Sequence, residues 1–242
     1  MTLVTGSSGG IGASVVDALR ARGDIVLGAD RAELEGQDVD SFYALDVTDE
    51  QQTRDVVRQT VADHGRIDVL VHAAGVLGGT PDPLLTTTEE FERVMRINAT
   101  GTFTITREVA NLMRDSGTKG TILLLSSVAA KEARVDYLPY NASKIAVLHI
   151  MWSMAKILGP AGISVNAVNP GPVNTPMWAQ LAEQSAGAQA ARDARAAQLP
   201  MRRFAEPAEV ANAISFLTDP INRYITGVSL DVAGGAHLGV GS

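Results

Sequence analysis

Residues 5–12 read Thr-Gly-Ser-Ser-Gly-Gly-Ile-Gly and stand directly between a β-type run at 2–5 and a helical stretch at 11–22. A strand that turns on glycines straight into a helix restricts the chain more than any other stretch does. The helix must cross back over the sheet before the next strand can pair, and such a crossover yields parallel strands. The pattern then repeats. Short β-type runs at 25–29, 42–45, 69–72, 121–125, 164–168 and 228–231 alternate with helical stretches at 50–64, 89–114, 140–158 and 208–217. This alternation predicts an α/β chain with a parallel sheet of about seven strands and helices on both faces. Thr48 with Gln51 resembles a capping box at the head of the second helix. No linker-like break, low-complexity tract or internal repeat divides residues 1–242, so a single domain is expected.

Composition removes several function classes. Hydrophobic residues make up 45% of the 242, enough for a sizeable core, and a charged fraction of 19% does not suggest disorder. A formal charge of −7 argues against nucleic-acid binding, which needs a basic surface. There is no cysteine, and the four histidines, His64, His72, His149 and His237, lack ligand spacing, so no metal is expected. Leu3-Val4 meets glycines at once, leaving no signal peptide, and no apolar window is long enough to span a bilayer. A cytoplasmic protein is expected.

The glycine turn has a chemical reading. Glycines between a strand and a helix N-terminus let the backbone approach a pyrophosphate, and the helix end offers free N–H groups and positive potential. The spacing departs from the strict G-x-G-x-x-G, because Val15 stands where the last glycine would be. Asp30 closes the second strand, where a carboxylate can accept hydrogen bonds from both adenosine ribose hydroxyls and repel a 2′-phosphate. That predicts NAD over NADP, although the adjacent Arg31 is a residue type able to accommodate a phosphate. The sheet is therefore expected to be of the doubly wound Rossmann type.

A second constellation lies at the head of the helical stretch 140–158. Tyr140 and Lys144 are four residues apart and would share a helix face. A neighbouring positive charge favours the phenolate, drawing the tyrosine towards the range where it exchanges protons with an alcohol or carbonyl. From Ile145 to Leu158 the helix is apolar almost all round, so one side should pack on the sheet and the other on a partner.

Thr5-Gly6-x-x-x-Gly10-x-Gly12 followed by Tyr140-x-x-x-Lys144 resembles the short-chain dehydrogenase/reductase family. The resemblance continues through Asp46-Val47, His72-Ala73-Ala74-Gly75, Asn98, Ser126-Ser127, residues 170–175 and Gly234-Gly235, and so spans the chain. It implies an NAD(P)-dependent oxidoreductase acting on CH–OH groups, and a homotetramer or homodimer. It also implies roles. Gly6, Ser8, Gly10, Ile11 and Gly12 would form the cofactor loop, with Asp30 and Arg31 at the adenosine ribose. Asp46 and Val47 would sit by the adenine, and Ala73, Ala74 and Gly75 beneath the ribose. Asn98 would hold a relay water, Ser127 would hydrogen-bond the reacting oxygen, and Tyr140 would be the acid/base. Lys144 would hold the nicotinamide ribose and lower the Tyr140 pKa, while Pro170, Gly171, Val173 and Thr175 would grip the carboxamide end.

The departures are as specific as the matches. His72 and Ala73 replace a frequent Asn-Asn pair, and a satisfied buried imidazole is the preferred reading of His72. The usual aspartate directly before Gly234-Gly235 is missing, which would loosen a C-terminal contact. The stretch between Asp30 and Asp46 is too short for a helix, as in the branch that oxidises cyclic dihydrodiols such as dihydrodihydroxybenzoate. In that reading Arg134 would meet a substrate carboxylate; a surface arginine is the simpler alternative. A 3-oxoacyl-type reductase is a further alternative. Residues 129–139 and a lid near 176–200 would set specificity, and Met177, Trp178, Leu181 and Leu199 suggest a small hydrophobic or alicyclic alcohol as substrate.

Overall fold

The computed structural model describes residues 1–177 and 188–238. It contains a seven-stranded sheet in the order β3-β2-β1-β4-β5-β6-β7, parallel at every pairing. The strands are β1 Thr2–Thr5, β2 Val26–Asp30, β3 Ser41–Ala44, β4 Val69–His72, β5 Thr121–Leu125, β6 Ser164–Pro170 and β7 Ser229–Val232. The α-helices are α1 Gly10–Arg22, α2 Glu50–His64, α3 Thr88–Met95, α4 Gly101–Asp115, α5 Leu138–Leu158, α6 Ala188–Ala197 and α7 Pro207–Thr218. Each expected strand is present within a residue or two of its expected bounds. No described helix is long and apolar enough to cross a membrane.

Side-chain alternation divides the core. In β1, β4 and β5, Leu3, Leu70 and Ile122 pack in one layer with Ile105 and Val109 of α4 and Val147 and Met151 of α5. Their strand neighbours Val4, Val71 and Leu123 face the other way, onto Val15, Val16 and Leu19 of α1 and Val210 and Ile214 of α7. Both sheet faces are buried, which is why the strands read as continuous apolar runs. Strand order reverses between β1 and β4, so the chain leaves a crevice beyond the carboxyl ends of those strands.

Two local expectations change. The cap of α2 is Asp49, whose side chain accepts from the Gln52 N–H at 2.9 Å, and not a Thr48–Gln51 box. Thr48 instead gives its N–H and hydroxyl to Asp46, at 2.9 and 2.8 Å. The continuous helix expected over 89–114 is broken by a π turn, Arg96–Thr100, with Asn98 in the middle. The apolar periodicity runs through that turn, so the sequence pattern conceals it. No helix forms between Asp30 and Ser41, in line with the short spacing.

Candidate active site

The crevice opens into a cavity of about 1330 Å³ lined by the turns after β1, β2 and β4 and by Thr175. Two glycines make its floor. Gly6 adopts φ +73°, and a Cβ there would lie 2.5 Å from the Ala74 backbone nitrogen. A Cβ on Gly12 would lie 1.9 Å from the Gly6 carbonyl oxygen. The loop thus folds tightly over the start of α1 and abuts the turn after β4. No side chain caps α1 at Gly9, which leaves its first N–H groups directed at the cavity end of the helix.

Asp30 lies in the lining and is already engaged: its carboxylate accepts from the Ser8 N–H at 3.1 Å and the Arg31 N–H at 2.7 Å. Asp46 also lines the cavity, its carboxyl held below the ordinary range first by the Thr48 N–H and then by the Thr48 hydroxyl, with help from the Arg31 charge. Gly6, Ser8, Gly10, Ile11, Gly12, Asp30, Arg31, Asp46, Val47, Ala73, Ala74, Gly75 and Thr175 all face this one space. Pro170, Gly171 and Val173 do not; Pro170 ends β6, Gly171 packs against Ala233, and the Val173 side chain is in the core.

Asn98, Ser127, Tyr140 and Lys144 are not part of the cavity lining; they meet behind it, against Gly75 and Leu125, where α5 brings its Tyr140 and Lys144 up to the other two. Tyr140 and Lys144 share a face as their spacing requires, with the Lys144 Nζ 5.6 Å from the Tyr140 ring centre. The ammonium donates to the Leu125 carbonyl at 2.9 Å, and burial pushes its pKa down to about 8. Ser127 caps a short 3₁₀ turn, accepting from the Ala129 N–H at 3.1 Å, and its hydroxyl also acts on Tyr140. Ser126 donates to the Lys144 carbonyl at 2.9 Å. The Asn98 amide is used at both ends: Oδ1 accepts from the Val76 N–H at 2.9 Å, and Nδ2 donates to the Val76 carbonyl and the Ser143 hydroxyl. The side chain therefore staples the turn after β4 to α5, and a relay water would have to use its main chain.

The expected electrostatics differ at one point. Burial raises the Tyr140 pKa, and the opposing influences are Ser127 and then Arg134, not Lys144. Desolvation of the phenolate outweighs a lysine that is itself buried and turned towards Leu125. His72 is fully buried, and desolvation, with a smaller contribution from the Lys144 charge, takes its pKa to about 3. Its Nδ1 lies 2.6 Å from the Thr5 hydroxyl, whereas Nε2 has no partner among the described residues. The imidazole is neutral and half satisfied.

Arg134 is not free for a substrate carboxylate, because Asp136 already holds its Nε and Nη2 at 3.1 Å each. Leu199 does not line a substrate face; it is 3% exposed and buried in the core. Trp178 and Leu181 lie outside the described residues. The expected loosening near Gly234 is offset by Asp231, which takes Lys131 at 2.6 Å and Asn169 at 2.7 Å. Tyr137, in the left-handed region at φ +53°, also lines the cavity, and Ser143 completes the Asn98 staple. Neither had a sequence signal beyond its nearness to Tyr140.

Comparisons with known proteins agree with this fold. The family model described as enoyl-(acyl carrier protein) reductase matches residues 6–237. An L-fucose dehydrogenase of Bos taurus is 34% identical, covering 100% of this chain and 90% of that protein. A 3-oxoacyl-[acyl-carrier-protein] reductase of Thermotoga maritima is also 34% identical, covering 96% of each. Among solved structures, the ligand-free aldohexose dehydrogenase of Thermoplasma acidophilum superposes with a TM-score of 0.91 at 27% identity, covering 98% of this chain and 94% of that one. With its glycine-floored cleft, Tyr140–Lys144 helix and end-to-end match to these proteins, the chain belongs to the short-chain dehydrogenase/reductase family of nicotinamide-dependent oxidoreductases acting on hydroxyl and keto groups.

Proposed function

We propose that this protein is an NAD-dependent oxidoreductase that interconverts a secondary alcohol and its ketone, with Tyr140 as the acid/base. The observation that carries the reading is the meeting of Ser127, Tyr140 and Lys144 beside a cleft that has a carboxylate, Asp30, at its adenosine end. The cleft fits a dinucleotide, since Gly6 and Gly12, where a Cβ would strike backbone, let the loop close tightly beside the cavity, and the start of α1 carries no side-chain cap. When bound, the nicotinamide supplies or accepts the hydride.

The chain's own residues do the remainder. In oxidation, the alcohol proton passes to the Tyr140 oxygen while the Ser127 hydroxyl donates to the substrate oxygen and fixes its position. Burial makes Tyr140 a poor phenolate in the free protein, so the Lys144 ammonium is needed nearby to hold the charged form during the reaction. Asn98 keeps the turn after β4 seated on α5, so that the cleft and the proton site move as one body. Asp30, held at the cleft wall by the Ser8 and Arg31 N–H groups and keeping lone pairs beside them, favours a free ribose diol over a 2′-phosphate.

The outward face of α5 supports assembly. Ile145 at 53% and Trp152 at 48% exposure, seven residues apart on one face, leave an apolar surface suited to the same helix of a second subunit, within a homodimer or homotetramer. Similarity to the Thermotoga reductase keeps a 3-oxoacyl substrate as the second reading. Following reduced-nicotinamide absorbance with NAD and NADP over a panel of alcohols and ketones tests the proposal. NAD should be favoured, and Tyr140→Phe should lower kcat by roughly 10²–10⁴-fold. Unchanged turnover in that variant would refute the role of Tyr140.

A further inference from the structure

We propose that Tyr137 selects the substrate, favouring a ketone or secondary alcohol with a flat ring beside the reacting carbon over an open-chain one. The inference rests on Tyr140 being the acid/base and adds the class of molecule that it serves.

Tyr137 breaks two local rules at once. It is the N-cap of α5, a position that favours Ser, Thr, Asp or Asn, and its side chain makes no capping hydrogen bond. It also has φ +53° and ψ +44°, left-handed backbone that a bulky L-residue adopts only under strain. Among the described residues, Arg202 alone shares that sign of φ without being glycine. Asparagine would suit both the cap and the backbone. A tyrosine that stands against both preferences is explained by what its side chain does.

The surroundings hold the strained turn in place. The Tyr137 N–H donates to the Thr80 carbonyl at 3.1 Å, and the Tyr137 carbonyl accepts from the Asn141 N–H at 3.1 Å. The Asn141 side chain donates to the Asp136 carbonyl at 2.6 Å. Gly79 lies directly against this turn, since a Cβ there would stand 3.3 Å from the Tyr137 Cα and 2.8 Å from the Pro139 Cδ. Glu90 of α3 in turn accepts from the Gly79 N–H at 3.1 Å. The turn after β4 and the head of α5 are thus locked together through their backbones. The lock sets Tyr137 in the cavity wall that Leu77, Gly78 and Gly79 also form. Tyr140 is the third residue of the helix that Tyr137 caps, so a ring lying on Tyr137 has its reacting carbon within a helical turn of the acid/base.

The chemistry of this wall is aromatic and apolar. Tyr137 is half-buried, and burial, followed by the Asp136 charge, raises its pKa, so the phenol stays neutral. Val76, Leu77 and Met177 line the same cavity. Glu90 and Arg93, packed on Gly78, neutralise each other at 2.7 and 2.9 Å. At about 1330 Å³ the cavity exceeds the ~300–1,000 Å³ of a pocket for one small ligand, leaving room for a substrate beside a dinucleotide. A rigid aromatic face gains most from another ring, stacked or edge-on, and a ring loses less freedom than a chain on being held. An open chain of equal carbon count buries a similar apolar area, so area alone gives no preference.

The test compares kcat/KM for reduction of acetophenone and of methyl hexyl ketone, which have the same number of carbons, with NADH and the full-length protein. We expect acetophenone to be favoured by ~10-fold, the discrimination that one aromatic pair supplies. Tyr137→Phe keeps the face and should keep the preference. Tyr137→Asn removes the face and should abolish the preference, mainly through KM of acetophenone, while leaving Tm no lower. A purely structural Tyr137 predicts the reverse, with Tm reduced and both ketones affected alike. That result, or methyl hexyl ketone matching acetophenone in the unsubstituted protein, would overturn the inference while leaving the dehydrogenase reading intact. NADH binding without reduction of any ketone or oxidation of any alcohol would overturn both.

Discussion

Lys144 offers a prediction that can be worked from burial alone. Its ammonium is enclosed, it has one hydrogen bond, to the Leu125 carbonyl at 2.9 Å, and no described carboxylate pairs with it. Burial takes its pKa from the usual 10.5 to about 8. With the folded value below the unfolded one, the unfolded chain binds more protons between those limits, so stability rises with pH across that window. Below about pH 8 the folded protein carries the whole penalty, about 3 kcal/mol at 1.36 kcal/mol for each tenfold change in proton affinity. Lys144→Met keeps the packing of the stem and removes the charge, at the loss of a hydrogen bond worth ~1 kcal/mol. The net gain is ~2 kcal/mol at pH 7, or roughly 4–8 °C in Tm for a chain of this size. Thermal melts of the cofactor-free proteins should show that gap at neutral pH, shrinking as pH rises and reversing slightly in favour of the parent by about pH 10.5, while turnover is lost. A variant no more stable at pH 7, or a gap independent of pH, would refute the reasoning. The lysine is a stability cost retained for chemistry.

Other perturbations have equally specific outcomes. Gly12→Ala drives a methyl into the Gly6 carbonyl at 1.9 Å, where the backbone cannot easily give way, so we expect loss of dinucleotide binding by calorimetric titration and ~3 kcal/mol of destabilisation. Asp30→Ala removes the carboxylate beside Arg31 and should raise the NADP-to-NAD ratio of kcat/KM by ~10-fold or more; an unchanged ratio would show that another group selects the cofactor. His72 has a folded pKa of about 3 against 6.5, so the unfolded chain takes up the proton first and stability falls as pH drops through that interval. His72→Asn removes this dependence, and its acid-unfolding curve between pH 6.5 and about 3 should be flatter than that of the parent protein.

Sheet, crossovers and cofactor loop were legible because each rests on a local rule. Apolar runs buried on both faces name the strands, and the glycines at 6 and 12 are required where a side chain would strike backbone. The pairing of Tyr140 with Lys144 was legible for the same reason, since helical spacing fixes it. What escaped depends on contacts between distant segments. The π turn at Asn98 is set by bonds to Val76 and Ser143, not by any change in the periodicity of 89–114. The direction of the Tyr140 shift depends on how deeply α5 is packed, which spacing does not encode. Leu199 looks like a pocket residue in sequence and is a core residue in the fold. Arg134 looks unpartnered until the loop curls back and places Asp136 against it.

The contact between Lys131 and Asp231 joins residues 100 positions apart, and Asn169 reaches the same carboxylate across 62. The loop before Tyr140 is therefore anchored to β7, which is synthesised after β1 to β6. A nascent chain can pair β1 to β6 and shape the cleft while the start of this loop still lacks its tie to β7. Long-range closures of this kind form late, because the entropy of the intervening loop must be lost first. Dinucleotide binding should accordingly be gained earlier in synthesis than substrate selectivity, so that assembly intermediates hold cofactor before they can turn over substrate.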